Sequence, residues 1–159
     1  MSKQRLDRVL PGILYQSAAN MGFQNVVGLF VTEDKRRILT ITRQDGYVGF
    51  PGGRIQNTNK QLLDAFEEIY ISDTGNKLPV CQLFDCYVYN SHTLFIIWNI
   101  AGNYIETKLN CDSQSNGKII SLRLTQVSYL KQALNDHCSF QLHPYAINST
   151  SRLFEVLGL

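Results

Sequence analysis

Gly52 and Gly53 follow Phe50-Pro51 and precede Arg54. Paired glycines allow backbone conformations closed to residues with a Cβ, and they let the chain come close to a bound molecule. Amides in such a loop, with the N-terminus of the helix after it, could receive the oxygens of a phosphate-bearing ligand. Two guanidinium groups flank the pair. Arg43 closes a strand-like run before the turn into the loop, where it could contact a phosphate or a base edge, or be an exposed strand-end charge. Arg54 can stack on a base or pair with phosphate. Taken on glycine alone, the simpler reading is a tight strand-to-helix connection without a ligand.

The flanking elements must hold this loop. Val26 to Thr32 and Arg37 to Thr42 are β-branched and apolar and read as strands joined by the charged turn Glu33-Asp34-Lys35-Arg36. Gln44-Asp45-Gly46 is a tight turn into a short strand, Tyr47 to Phe50, that ends at Pro51. Residues 52–59 read as a loop rich in Gly, Asn and Thr. Lys60 to Ser72 carries Leu62, Leu63, Phe66, Ile69 and Tyr70 at helical spacing, with Asp73-Thr74-Gly75 as its stop. Cys81 to Tyr89 and Thr93 to Ala101 form a hairpin about Asn90-Ser91-His92. Lys118 to Thr125 is a further strand, and Gln126 to Leu134 and Ala146 to Leu157 are helices. This order predicts an α+β sandwich around a mixed sheet.

The 159 residues suit one domain spanning 1–159, with residues 1–24 an N-terminal extension that packs on it or is flexible. With 44% apolar and 18% charged residues the chain reads as globular. A net charge of +2 neither demands nor excludes nucleic acid. Cys81, Cys86, Cys111 and Cys138 form no Cys-x-x-Cys pair, and His92, His137 and His143 are not at zinc-ligand spacing with them. Reduced structural thiols in an intracellular compartment, cytoplasmic or nuclear, are expected. The start of the chain lacks a signal-peptide pattern, and Leu94 to Trp98 is too short to span a membrane. Asn148-Ser149-Thr150 matches a glycosylation acceptor, which carries no meaning in an intracellular chain.

The order Gly49-Phe50-Pro51-Gly52-Gly53, then an extended segment and a helix ending near Asp73-Thr74-Gly75, resembles the Nudix hydrolases. Ile38 to Gly53, Gly117 to Leu130 and Asn148 to Leu159 are most similar to the branch of the small-nucleolar-RNA decapping and inosine-diphosphate hydrolases and syndesmos. The resemblance implies a Nudix-type α/β/α sandwich with a mixed β-sheet, Mg²⁺ or Mn²⁺ as cofactor in an active member, and nucleotide or RNA ligands. In the family box, Gly-x5-Glu-x7-Arg-Glu-U-x-Glu-Glu-x-Gly, where U is a bulky aliphatic, three helical carboxylates hold the metal on one face.

Here the box is degenerate. Counted from Gly53, its first acid falls on Asn59 and its Arg on Glu67, and the helical acids fall on Glu68, Ile71 and Ser72. Counted back from Gly75, the three acids fall on Ile69, Ser72 and Asp73. One carboxylate survives in either register, Glu68 or Asp73. Asp64, Glu67 and Glu68 stand at i, i+3 and i+4 and could form a displaced acidic face, but a one-turn shift would move ligands by ~5 Å. An acid-rich helix start, favoured by the helix dipole, explains them more simply. The branch also carries an acid two residues after a Gly, whereas Gly117 is followed by Lys118 and Ile119. Arg54 replaces an aromatic, which argues against carrying over inosine specificity.

The expectation is therefore a Nudix-fold protein that binds nucleotide, RNA or a protein partner with weak or no hydrolysis. The competing expectation is a metal-dependent pyrophosphohydrolase of nucleoside diphosphate derivatives or capped RNA with a rearranged acidic set. Candidate ligand contacts are Arg43, Gly52, Gly53 and Arg54. Candidate catalytic and metal residues are Glu68 or Asp73, with Asp64 and Glu67 as the displaced alternative. Tyr47, Phe50, Tyr87, Tyr89 and Trp98 could stack on a base, though core roles are favoured for most. His92 and the run Asp136-His137-Cys138 are read as unremarkable.

Overall fold

The computed structural model describes residues 5–100, 119–136 and 144–159. Its strands are β1 (Leu6–Val9), β2 (Asn25–Thr32), β3 (Arg37–Arg43), β4 (Val48–Gly49), β5 (Gly52–Arg54), β6 (Cys81–Tyr89), β7 (Thr93–Ile100) and β8 (Ile119–Gln126). Its helices are α1 (Ala18–Met21), α2 (Leu62–Thr74), α3 (Val127–Asp136) and α4 (Pro144–Leu157). The strands form one mixed sheet: β2 and β7 run parallel, and the remaining neighbours pair antiparallel.

Two apolar layers enclose this sheet. Leu62, Ala65, Phe66 and Tyr70 of α2 pack with Val26, Phe30, Leu94, Ile96 and Trp98 on one side. Phe30 and Trp98 stack at 5.8 Å, with the rings of Phe66 and Tyr70 against them. On the other side Val127, Leu130 and Ala133 of α3 and Leu153 and Phe154 of α4 join Leu29, Val31, Ile38, Phe95 and Ile97. Alternation along β2 and β7 sends successive side chains to opposite layers, so both faces must be covered. The result is the expected α/β/α sandwich.

Where β2 and β3 part, the cleft opens. They pair at Val31 with Ile38. Farther along, Asn25 to Val27 pair with β5 instead, while β3 pairs with β4 at Ile41 and Thr42 and with β8 along its other edge. Pro51 and β5 fill the opening: the Gly28 amide donates to the Pro51 carbonyl at 2.8 Å, and that of Ile55 to Gln24 at 2.9 Å. Thus residues 52–54, read from sequence as loop, are a strand. Gly and Arg offer no alternating pattern, so only the partner strand β2 reveals it.

α2 forms where the periodicity places it, shifted to start at Leu62 and end at Thr74. Gly75 stops it in the left-handed region, φ 70°, its amide donating to the Ile71 carbonyl. The hairpin between β6 and β7 turns through Asn90, Ser91 and His92, between the paired Tyr89 and Thr93, with Asn90 and Ser91 both at positive φ. At the chain's start, β1 pairs with β6, and Asp85, buried on β6, accepts from Arg8 Nε at 2.9 Å. A bridge between Ser17 and Gln61 ties this N-terminal segment to the entry of α2.

Candidate functional site

Two cavities meet at β5. The first, of about 340 Å³, has Gly52, Gly53 and Arg54 on one wall, Arg43 beside them, and Ala65, Glu68, Ile69, Ser72 and Asp73 of α2 opposite. Lys60 and Asn57, from the loop before α2, close one end. The second, of about 710 Å³, lies across the same glycines. Phe50, Phe95, Tyr89 and His92 line it, with Thr150 of α4. Arg43, Gly52 and Gly53 border both.

Gly52 is irreplaceable on steric grounds. Its φ is +146°, and a Cβ there would lie 2.3 Å from the Val26 carbonyl oxygen and 2.7 Å from Val27 Cα. Gly53 is different: a Cβ would meet the Ile69 Cγ2 methyl at 3.9 Å, an ordinary contact. The Leu62 amide donates to the Gln16 carbonyl at 2.8 Å, and the cleft runs along the side of α2. Any anion there meets side chains of the helix face, with Arg43, Arg54 and Lys60 as the cations.

The helix face settles where each acidic position points. Ile69, Ser72 and Asp73 line the cleft opposite the glycines, and Tyr70 is buried at 1% exposure beneath them. Ile71 is 46% exposed and points to a shallow outer depression with Asp64 and Glu67. Glu68 borders both. So the structure brings Arg43, Gly52, Gly53, Arg54, Glu68 and Asp73 together, and leaves Asp64 and Glu67 outside the cleft.

Sequence reasoning missed Lys60. Its ammonium pairs with the Glu68 carboxylate, with 43% and 58% of the two side chains exposed. At that exposure the pair contributes about 0–1 kcal/mol to stability. Its consequence is electrostatic: Glu68, the acid expected in the register counted from Gly53, already has a cation against it. The separation of eight residues hid the pair: it exceeds the three- or four-residue spacing of helical partners, and Lys60, read from sequence as the first residue of the helix, stands in the loop before it.

The donor set does not fit a divalent metal. Mg²⁺ demands near-octahedral oxygen ligands at about 2.0–2.1 Å. Glu68 and Asp73 stand five residues apart, about 7.5 Å of rise and about 140° of rotation on a helix. Between them the cleft face presents the Ile69 side chain and the neutral Ser72 hydroxyl. Among the described residues, no three His, Cys, Asp or Glu side chains gather in a way that could hold a metal ion.

Of the aromatic candidates, Phe50, Tyr87 and Trp98 are buried, and Phe50 also reaches the second cavity. Thr150 is 1% exposed, and its Oγ1 has no hydrogen-bond partner among the described residues. Ser149 is buried as well, so the glycosylation-like triplet lies in a packed helix. Burial raises the Cys81 thiol to about 11 and the Cys86 thiol to about 12, which keeps both protonated at neutral pH. Gly117, Lys118, Cys111, His137, Cys138 and His143 lie outside the described residues.

With this geometry in hand, solved structures provide the fold's name. A Nudix hydrolase from M. Smegmatis, RenU, matches 86% of this chain and 86% of its own at 17% identity, with a TM-score of 0.55. The NUDIX domain of Shewanella oneidensis NrtR, complexed with ADP ribose, matches 82% of this chain and 88% of its own at 15% identity, with a TM-score of 0.48. The Bacillus subtilis pyrophosphohydrolase BsRppH matches 77% and 72% at 11% identity, with a TM-score of 0.46. No family model and no curated protein matches the sequence. The chain has the Nudix fold, established by the first of these likenesses. Among the described residues no helix is long and apolar enough to cross a membrane.

Proposed function

We propose that this chain is a Nudix-fold binding protein for a nucleotide or an RNA end, with weak or no hydrolysis. The observation that carries this reading is the pair of cavities sharing Arg43, Gly52 and Gly53. One offers Arg54 and Lys60 to a diphosphate; the other offers aromatic walls to a flat heterocycle. A ligand joining an anionic part to a planar part spans both. The loss of hydrolysis follows from the helix. Burial of Tyr70 at the bulky position of the box supports the register counted back from Gly75, which leaves Asp73 as the surviving acid of three. Without metal-held charge neutralisation, transition-state stabilisation of several kcal/mol is lost.

One observation favours the competing hydrolase: Glu68 and Asp73 do share one cleft. The two readings separate in an assay of purified protein with Mg²⁺ or Mn²⁺ and a panel of nucleoside diphosphates, dinucleotide cofactors and capped RNA. Binding without turnover is expected. Turnover that Glu68→Gln or Asp73→Asn abolishes would overturn the proposal, and absence of binding to the whole panel would leave a protein-interaction scaffold.

A further inference from the structure

The misfit between the cleft and a divalent metal has a counterpart in what the cleft does contain. Lys60 enters from the loop ahead of α2 and places its ammonium against Glu68, at the rim where the cleft meets the outer depression. Arg54 and Arg43 stand on the facing wall. Among the described residues around the cleft, three side-chain cations therefore oppose two carboxylates, Glu68 and Asp73. An ammonium offers three donors and acts as a point charge toward phosphate oxygens, while a guanidinium can grip two at once.

We propose that Lys60 supplies, as a fixed side-chain cation, the positive charge that a bound metal would otherwise bring, so that the cleft holds a diphosphate without any divalent ion. Glu68 then positions Lys60 and does not ligate a metal. This inference rests on the nucleotide-binding reading and adds to it a mode of recognition. Free nucleotide, carrying its full negative charge, is the preferred form. A magnesium-complexed nucleotide presents a neutralised diphosphate to three cations and gains nothing.

The test is calorimetric titration of the full chain with ADP, in EDTA and again in excess Mg²⁺. Affinity in EDTA should equal or exceed that in Mg²⁺. Lys60→Met should weaken ADP binding about tenfold or more, equivalent to about 1.4 kcal/mol, with Mg²⁺ giving no rescue; Lys60→Arg should retain most of it. Lys131→Met, at an exposed site on α3 outside both cavities, should leave affinity unchanged. Melting temperature checks that each variant is folded. Binding that EDTA abolishes, or a folded Lys60→Met that binds as the parent does, overturns the inference while keeping the nucleotide reading. Failure of the folded parent to bind ADP, inorganic pyrophosphate and the rest of the panel, capped RNA included, in either buffer overturns the reading beneath it.

Discussion

The two walls of the charged cleft are constrained in different ways. The β5 wall is fixed by the sheet. Asn25, Val26 and Val27 pair with Arg54, Gly53 and Gly52, and Gly52 has backbone where a side chain would go. The α2 wall is held from behind by Leu62, Ala65, Phe66 and Tyr70, which leaves its cleft face open to any residue type. Ile69 and Ser72 occupy that face without disturbing the fold. The fold thus constrains the β5 wall more tightly than the cleft face of α2.

The strongest way to break this contrast is at Gly52. Gly52→Ala sets a Cβ against the Val26 carbonyl oxygen and forces an alanine into a positive-φ conformation. The expected cost is about 3 kcal/mol or more, since strain and overpacking each contribute about 1–3 kcal/mol. Gly53→Ala, with room for its methyl, should change stability by less than about 1 kcal/mol. Urea denaturation of both variants measures the difference. Equal losses would show that the glycine pair acts as a unit and that the steric distinction between its members is wrong.

The helix wall answers to the opposite change. Ile69→Glu with Ser72→Glu adds two acids beside Asp73, on the face that lines the cleft. Affinity for Mn²⁺ should rise by about tenfold or more, about 1.4 kcal/mol, with the fold retained because neither position is buried. Titration of Mn²⁺ followed by electron paramagnetic resonance reads this directly. No gain in a folded double variant would mean that the face counted back from Gly75 is not where this scaffold can hold a metal.

Much of the scaffold was legible because it repeats. β2, β3, β6 and β7 show runs of β-branched and apolar residues, and α2 shows apolar residues at helical spacing up to a glycine stop, so their bounds fall within two residues of expectation. What escaped has no local signature. Gly52 to Arg54 become a strand through β2, and β1 through β6, each by pairing with residues distant in sequence. Ile69, Tyr70 and Ile71 are consecutive and all largely apolar, so the sequence does not say which enters the core; burial distinguishes the core residue, the cleft residue and the exposed one. Arg43, Gly52, Gly53, Arg54, Glu68 and Asp73 were named from the motif and its neighbours, and they line one cleft. Lys60 and Thr150 were not: one reaches the cleft from a loop, the other the second cavity from the far end of the chain.

Thr150 gives the smallest expected effect and sharpens the comparison most, because it separates fit to the fold from fit to a ligand. A buried hydroxyl without a partner costs about 1–3 kcal/mol in lost solvation, so a wholly structural role would be better filled by its isostere. Thr150→Val should therefore raise stability by about 1 kcal/mol. It should also weaken nucleotide binding several-fold if the hydroxyl meets the polar edge of a heterocycle in the second cavity, while inorganic pyrophosphate, confined to the charged cleft, binds as before. Thermal melts and titrations with ADP and pyrophosphate on the same preparation give all three values. Higher stability with unchanged ADP affinity would show that the ligand does not use this hydroxyl. A parallel loss for ADP and pyrophosphate would mean that the substitution acts on the shared wall of Arg43, Gly52 and Gly53 and not on the heterocycle.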